Sequence, residues 1–458
     1  MATRLFVKSN GSGRPRYKIW IDRDGAQREV RLAGFSFYGE VGGLLTRPPA
    51  KFVELMPDTD PPNENWRSAL SHDASENIVM TYGQWMAFLA EHSISHSRIF
   101  CFPEVFCRQY PVFRYGPTAP ADRRGRYDLT LRSGVYMARL TRYLELARRK
   151  GIVVQISFAS IQMLRDNPGG GDWDANPFNF SAKPDMGGFR NNINGFIDEA
   201  NGVGTFCKLG ASPALAAAEK LVVDSVVNAA KPYWNVMFEL FNEPNPNLGE
   251  LQVANWFTTV ANWVDAKIRD PRTNVRSHLV TINAPEELLS HTRSGGSILK
   301  PLLLDGAGRV RSSPLIDAYQ FHGSLWGGDS GVSGMASRPQ PALDRTTVRE
   351  KTQEAIDAFY NRPIDAAGAH TVGEAPVAVI CDSDAHYRAQ DHPEMYGLVA
   401  LNNGVSYIHR WSNVYLTQGK VKAQIAALKP VILTDFMPGP DPTPGPPPPP
   451  APREDEDL

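Results

Sequence analysis

The run Asn235-Val-Met-Phe-Glu-Leu-Phe-Asn-Glu243-Pro244 constrains the fold of this chain more than any other stretch. From Val236 to Phe241 it is short and almost wholly apolar, the pattern of a strand buried on both faces as in a parallel sheet. Proline cannot continue the ladder, so the strand ends at Asn242-Glu243-Pro244 and leaves a carboxamide and a carboxylate at its C-terminal edge. In α/β folds that edge is where ligands are met. A lone strand-end glutamate is most often an ordinary surface ion-pair partner. What the other strands carry at the same edge decides between the two readings.

Reading outward from this strand, the same pattern recurs. Strand one is Arg31 to Phe37, strand two is Ser95 to Phe102, and strand three is Ile152 to Phe158, followed by the central strand as the fourth. Then come His278 to Asn283, Ile316 to Phe321, Val377 to Cys381 and Val405 to His409. Helical stripes separate them. Asp128 to Lys150 carries Tyr136, Leu140, Leu144 and Ala147 on one side and stops at Gly151. Ser212-Pro213 caps the next helix, with Leu215, Ala218, Val222 and Val226 on one face. Helices follow at Leu251 to Arg269, Thr346 to Tyr360, Met395 to Asn402 and Val421 to Leu428, with a shorter one at Thr81 to Glu91.

Eight strands alternating with helices predict an α/β fold of the (β/α)8 type, a TIM barrel. A doubly wound open sheet is the runner-up, but no GxGxxG follows the first strand. We divide the chain into residues 1–30, a β-hairpin turning at Asp24-Gly25 and closing the barrel bottom; 31–436, the barrel; and 437–458, a Pro-rich, acidic, disordered tail. The segment Gly169 to Gly204, rich in Gly, Asn and aromatics, reads as a functional loop.

A formal net charge of -1 leaves no broad basic field, which argues against a nucleic-acid partner. No segment approaches the roughly 18 consecutive apolar residues of a membrane span. Met1-Ala-Thr-Arg-Leu-Phe-Val-Lys lacks the apolar core of a secretion signal. The expectation is a soluble chain with no membrane partner, cytoplasmic by default and secreted if a leader was removed. Cys101, Cys107, Cys207 and Cys381 show no CxxC spacing and read as buried free thiols. A metal-dependent barrel needs His-rich strand tips, and only His322 and the off-strand His386 and His392 are on offer, so neither metal nor cofactor is expected.

The strand tips gather chemistry at one mouth: Arg98 and Glu104 after strand two, Asn242 and Glu243 after four, Asn283 after five, His322 after six, Asp382 and Asp384 after seven, and Trp411 after eight. Carboxylates, a guanidinium and an indole in one opening suit glycoside hydrolysis, which needs an acid for the leaving oxygen, a carboxylate opposite and an aromatic face for the sugar ring. Trp173 and Trp326, on long loops, are candidates for outer subsites. Trp256 and Trp263, spaced i and i+7 on a helix, read as packing, and Glu239 as a hydrogen-bonded core carboxylate.

Asn242-Glu243-Pro244, with Glu239 upstream, resembles the strand-four motif of the clan A glycoside hydrolases, the cellulase-like retaining enzymes of the family 5 type. Arg98 resembles their strand-two arginine and His322 their strand-six histidine, and the likeness extends over most of the chain. It implies Glu243 as general acid/base, Asn242 bonding the sugar 2-hydroxyl, Arg98 holding the nucleophile, and Trp411 flooring the subsite beside the scissile bond. It also implies an oligo- or polysaccharide substrate with β linkages.

One position departs from the pattern. The family places a glutamate nucleophile at the end of strand seven, where this chain reads Val379-Ile-Cys381-Asp382-Ser383-Asp384. Glu374 precedes that strand and belongs to the other end of the barrel. Asp382 is the favoured nucleophile, with Asp384 and Glu104 as alternative carboxylates. The competing function is a glycan-binding pseudoenzyme that kept the cleft and lost the strand-seven nucleophile.

Overall fold

The structure, a computed structural model, describes residues 3–11, 16–37, 53–56, 78–91, 93–101, 113–115, 126–132, 134–160, 178, 190–191, 206–211, 213–242, 244, 250–284, 297–322, 345–365, 367–382 and 406–411. The chain opens with β1 (Arg4–Ser9), β2 (Tyr17–Arg23) and β3 (Ala26–Glu29), which form an antiparallel sheet in that order. Asp24 and Gly25 both take positive φ, 52° and 91°, the backbone that a tight turn between twisted strands requires. The hairpin at that turn carries β1 as a further strand.

Next come β4 (Ala33–Phe37), β5 (Val53–Met56), β6 (Ile78–Thr81), α1 (Tyr82–Glu91) and β7 (His96–Phe100). They are followed by β8 (Phe113–Tyr115), β9 (Arg126–Arg132), α2 (Gly134–Lys150), β10 (Val153–Ser157), β11 (Arg190–Asn191) and α3 (Pro213–Ala230). The chain continues through β12 (Val236–Asn242), α4 (Glu250–Ile268), β13 (Leu279–Asn283), α5 (Leu299–Leu303) and β14 (Ala318–His322). It then forms α6 (Arg345–Tyr360), β15 (Ala378–Asp382) and β16 (Ser406–Trp411).

β4, β7, β10, β12, β13, β14, β15 and β16 follow one another in chain order around a closed parallel barrel, shut by the pairing of β16 with β4. This is the (β/α)8 architecture that the alternation of strands and helices predicts.

Alternation sorts the strand side chains between two cores. Outward residues, among them Val154, Ile156, Phe238, Val280, Val379 and Cys381, join α1 to α4 in one large apolar cluster. The inward residues Val153, Met237, Leu279, Ala318, Ala378 and Ile380 form a second cluster, against which Leu5, Ile19, Ile21, Val30 and Leu32 of the N-terminal segment pack. These barrel residues stand at the first half of their strands, so the inside is filled from the N-terminal end and polar side chains occupy the other end.

The helix read from Asp128 to Lys150 is shorter than its stripe. Arg126–Arg132 is a strand, paired antiparallel with β8 and parallel with β11, and the helix starts at Gly134. Strands six to eight end later than read, so His322, Asp382 and Trp411 are each the last residue of a strand. Cys101, Cys207 and Cys381 are buried and outside any disulfide, and burial pushes Cys101 up to about 12. Among the described residues, no helix is long and apolar enough to cross a membrane. The helices read at Met395 to Asn402 and Val421 to Leu428, Cys107, most of Gly169 to Gly204 and the Pro-rich tail lie outside the described residues.

Candidate active site

The central strand β12 breaks its own alternation. It keeps register with β13 through Met237↔Leu279, Phe238↔Val280 and Glu239↔Thr281, then shifts so that Asn242 faces Asn283. Leu240 and Phe241 both point outward into the helix-facing core, where Phe241 sits edge-on to Trp256 with ring centroids 5.2 Å apart. Strict alternation would turn Phe241 inward after Glu239. The extra residue turns Asn242 inward instead, the re-aiming a β-bulge performs next to functional sites.

Arg98, the middle residue of β7, is what these inward groups meet. It is fully buried, and its guanidinium grips Glu239 with two donors, Nε to Oε2 at 2.7 Å and Nη2 to Oε1. Nη2 also donates to Asn242 Oδ1, and Nη1 donates to Asp382 Oδ2 at 2.9 Å. The planar fork lets one side chain hold three partners from two strands, which an ammonium could not do with this geometry. The guanidinium carbon also lies 5.0 Å from the Phe100 ring centroid.

Asp382 ends β15 and shares the inward parity of Ala378 and Ile380, whereas Cys381 faces the helices. The Cys381 thiol is pushed well up, first by burial and then by the charge of Asp382, so it is no nucleophile at neutral pH. Besides Arg98, two amides reach Asp382 Oδ2: Gln320 Nε2 at 2.5 Å and Asn283 Nδ2 at 3.2 Å. Asn283 Nδ2 also lies 3.1 Å from Asn242 Oδ1, and Asn242 donates to Ser160 Oγ at 3.3 Å.

One guanidinium therefore faces two carboxyls, all three groups buried. Burial raises the Glu239 pKa; the charge and hydrogen bonds of Arg98 oppose this and the charge of Asp382 adds to it. Below Arg98, His96 is held neutral, its pKa lowered to about 3 by burial and by Arg98. Gly34 makes room for it, since a Cβ there would lie 2.4 Å from the His96 carbonyl oxygen.

Of the residues singled out from sequence, Arg98, Asn242 and Asp382 meet in one hydrogen-bonded cluster. His322 pairs in register with Asp382 across β14 and β15, and Trp411 with Phe37 across β16 and β4. Glu243, Glu104, Asp384, Trp173 and Trp326 lie outside the described residues. The sequence reading missed Gln155 and Gln320. Each is a lone amide at inward parity within an apolar strand, Val153-Val-Gln-Ile-Ser and Ala318-Tyr-Gln-Phe-His, and that was the available signal. Among the described residues, no group of three or more His, Cys, Asp or Glu side chains could hold a metal ion.

No protein-family model and no curated protein matches this sequence. Solved structures do. The chain is similar to a β-mannanase from the blue mussel Mytilus edulis, at 12% identity over 95% of this chain and 98% of that one, with a TM-score of 0.41. It is similar to a glycoside hydrolase family 5 enzyme from Prevotella bryantii B14, at 11% identity over 88% and 95%, with a TM-score of 0.45. It is also similar to endo-glycoceramidase II from Rhodococcus sp., at 15% identity over 85% and 74%, with a TM-score of 0.42.

Proposed function

We propose that this chain is a glycoside hydrolase of the cellulase-like type that cleaves a β-linked glycan with retention of configuration. Glu243 is the general acid/base and Asp382 the nucleophile. The observation that carries the reading is the shared Arg98 guanidinium. It binds the strand-seven carboxylate and the carboxamide immediately before Glu243, and so ties the two tips that must flank a glycosidic bond.

In the first step an Asp382 oxygen bonds to the anomeric carbon as that carbon loses its bond to the leaving oxygen, which takes the proton of Glu243. In the second, Glu243 accepts a proton from water, the water oxygen displaces Asp382, and the starting configuration is restored. Asn242 holds the 2-hydroxyl, His322 binds substrate, and Trp411, with Trp173 and Trp326 further out, stacks on sugar rings. The substrate is an oligo- or polysaccharide.

The test is hydrolysis across a panel of β-glucans, β-mannans and aryl β-glycosides. Glu243→Gln and Asp382→Asn should each lower kcat at least about 100-fold with the fold intact. Asp382→Ala supplied with azide should release a glycosyl azide of inverted configuration. Full turnover in either Glu243→Gln or Asp382→Asn removes that residue from its role. Oligosaccharide binding without cleavage by the wild type replaces the hydrolase with a glycan-binding protein.

A further inference from the structure

We infer that Gln320, its amide oriented by Gln155, is a positioning residue for the Asp382 carboxylate. The inference rests on the reading of Asp382 as nucleophile. Three donors converge on Asp382 Oδ2, and they are not equivalent. Arg98 divides its guanidinium among Glu239, Asn242 and Asp382, and Asn283 divides one nitrogen between Asp382 and Asn242. Gln320 gives Asp382 its Nε2 at 2.5 Å.

Gln155 fixes which end of the Gln320 amide faces the carboxylate. Gln155 Nε2 donates to Gln320 Oε1 at 2.7 Å. With its oxygen so engaged, the Gln320 amide presents nitrogen to Asp382; flipped, it would set a carbonyl oxygen against a carboxylate. Gln155 is held in turn by Thr281 Oγ1 at 3.4 Å. The chain of contacts thus runs from β10 through β14 to β15, and none of Gln155, Gln320 or Asp382 is exposed.

A merely structural filling would look different. One layer lower, the barrel interior is mostly apolar, with Val153, Met237, Leu279, Ala318 and Ala378 beside the single imidazole of His96. Two buried carboxamides in the layer above lose hydration and gain nothing from packing that leucine would not give. The hydrogen bond of Gln320 ends on Asp382, while Gln155 bonds Gln320 and also meets Glu239 and His96. Donors on one oxygen favour the ionised form and restrain rotation of the carboxylate, the two properties an attacking carboxylate needs.

The test uses the full chain with 13C-labelled aspartate carboxyls, the Asp382 resonance being assigned by its loss in Asp382→Asn. Gln320→Met keeps the volume and removes the donor; Gln155→Met leaves Gln320 in place and removes what orients it. In Gln320→Met the Asp382 titration should move to higher pH, and the acid limb of kcat/KM should move with it. On the panel above, kcat should fall about tenfold with little change in KM. Gln155→Met should act in the same direction, more weakly.

Should Gln320→Met fail to fold, Gln155→Met carries the test alone. Asp382 titrating as in wild type in folded variants overturns the inference, whatever the turnover. A wild type inert on every glycan, with the Asp382 titration displaced in Gln320→Met, removes the hydrolase reading and upholds the positioning one.

Discussion

Arg98 shows what a single buried residue can be asked to hold. Two carboxyls and a carboxamide depend on one guanidinium, all four groups without solvent exposure. Removing one partner of such a pair leaves the other charged and dry, which costs about 3–5 kcal/mol. Arg98→Met should therefore destabilise the chain by about that much in urea unfolding. In a Glu239→Gln background the same change should cost less, because one of the stranded carboxyls is gone, and the double-mutant cycle measures the coupling. Equal costs in the two backgrounds would mean that Glu239 does not depend on Arg98. Arg98 and Asn242 were legible in sequence because a charged or amide residue near the end of an apolar strand has few other reasons to be there. Asp382 was favoured from sequence over Asp384 and Glu104, but the face of the strand it takes was not legible. Only alternation within β15, visible once Ala378 and Ile380 are seen facing inward, turns Asp382 toward Arg98 and Cys381 toward the helices.

Between elements, the contact of α3 with α4 carries a buried carboxyl. Glu219 of α3 is buried and accepts a hydrogen bond from Trp256 Nε1 of α4 at 2.6 Å, and among the described residues its Oε1 has no hydrogen-bond partner. Burial raises its pKa well above the usual value, with the Trp256 bond opposing. The linkage sign follows from that direction. The stability this acid contributes is whole below its unfolded value, near 4.5, and is lost as pH rises through the higher folded value. Glu219→Gln keeps an oxygen for Trp256 and cannot ionise. Its urea midpoint should match wild type in mild acid and exceed it increasingly as pH rises above that range. Parallel curves would show that Glu219 is not the titrating group. The same helix illustrates what sequence could and could not reveal. The periodicity that made Trp256 a packing residue holds, since it lies against Phe206, Phe241 and Phe257. The glutamate that meets its indole sits 37 positions away, and periodicity is blind to such pairs. For the same reason β9 was read as helix: its partners, β8 and β11, are set by tertiary pairing, which overrides a local stripe.

For the molecule as a whole, the order of strands was legible because short, mostly apolar runs alternate in the sequence with helical stripes. The sequence reading also put a β-hairpin, turning at Asp24-Gly25, under the barrel, but which of its side chains enter the core was not legible, because a short amphipathic strand carries no address. Leu5, Ile19, Ile21, Val30 and Leu32 supply the side chains that pack under Met237, Leu279, Ala318 and Ala378. Full burial of each large aliphatic side chain contributes roughly 1.5–3 kcal/mol. Five of them together rival the roughly 5–15 kcal/mol by which a domain is stable. The N-terminal segment is then part of the barrel's core in energetic terms. Ile21, fully buried at the centre of this contact, is the residue to change. Ile21→Ala should cost about 2–5 kcal/mol in urea unfolding, through lost transfer energy and the cavity left behind. The polar layer that carries Arg98 and Asp382 sits on the far side of the apolar one, so kcat and KM at temperatures below the melting transition should stay at wild-type values. A cost below about 0.5 kcal/mol would mean that the barrel closes without this sheet. A fall in kcat with the fold intact would mean that packing at the closed end sets the geometry at the mouth.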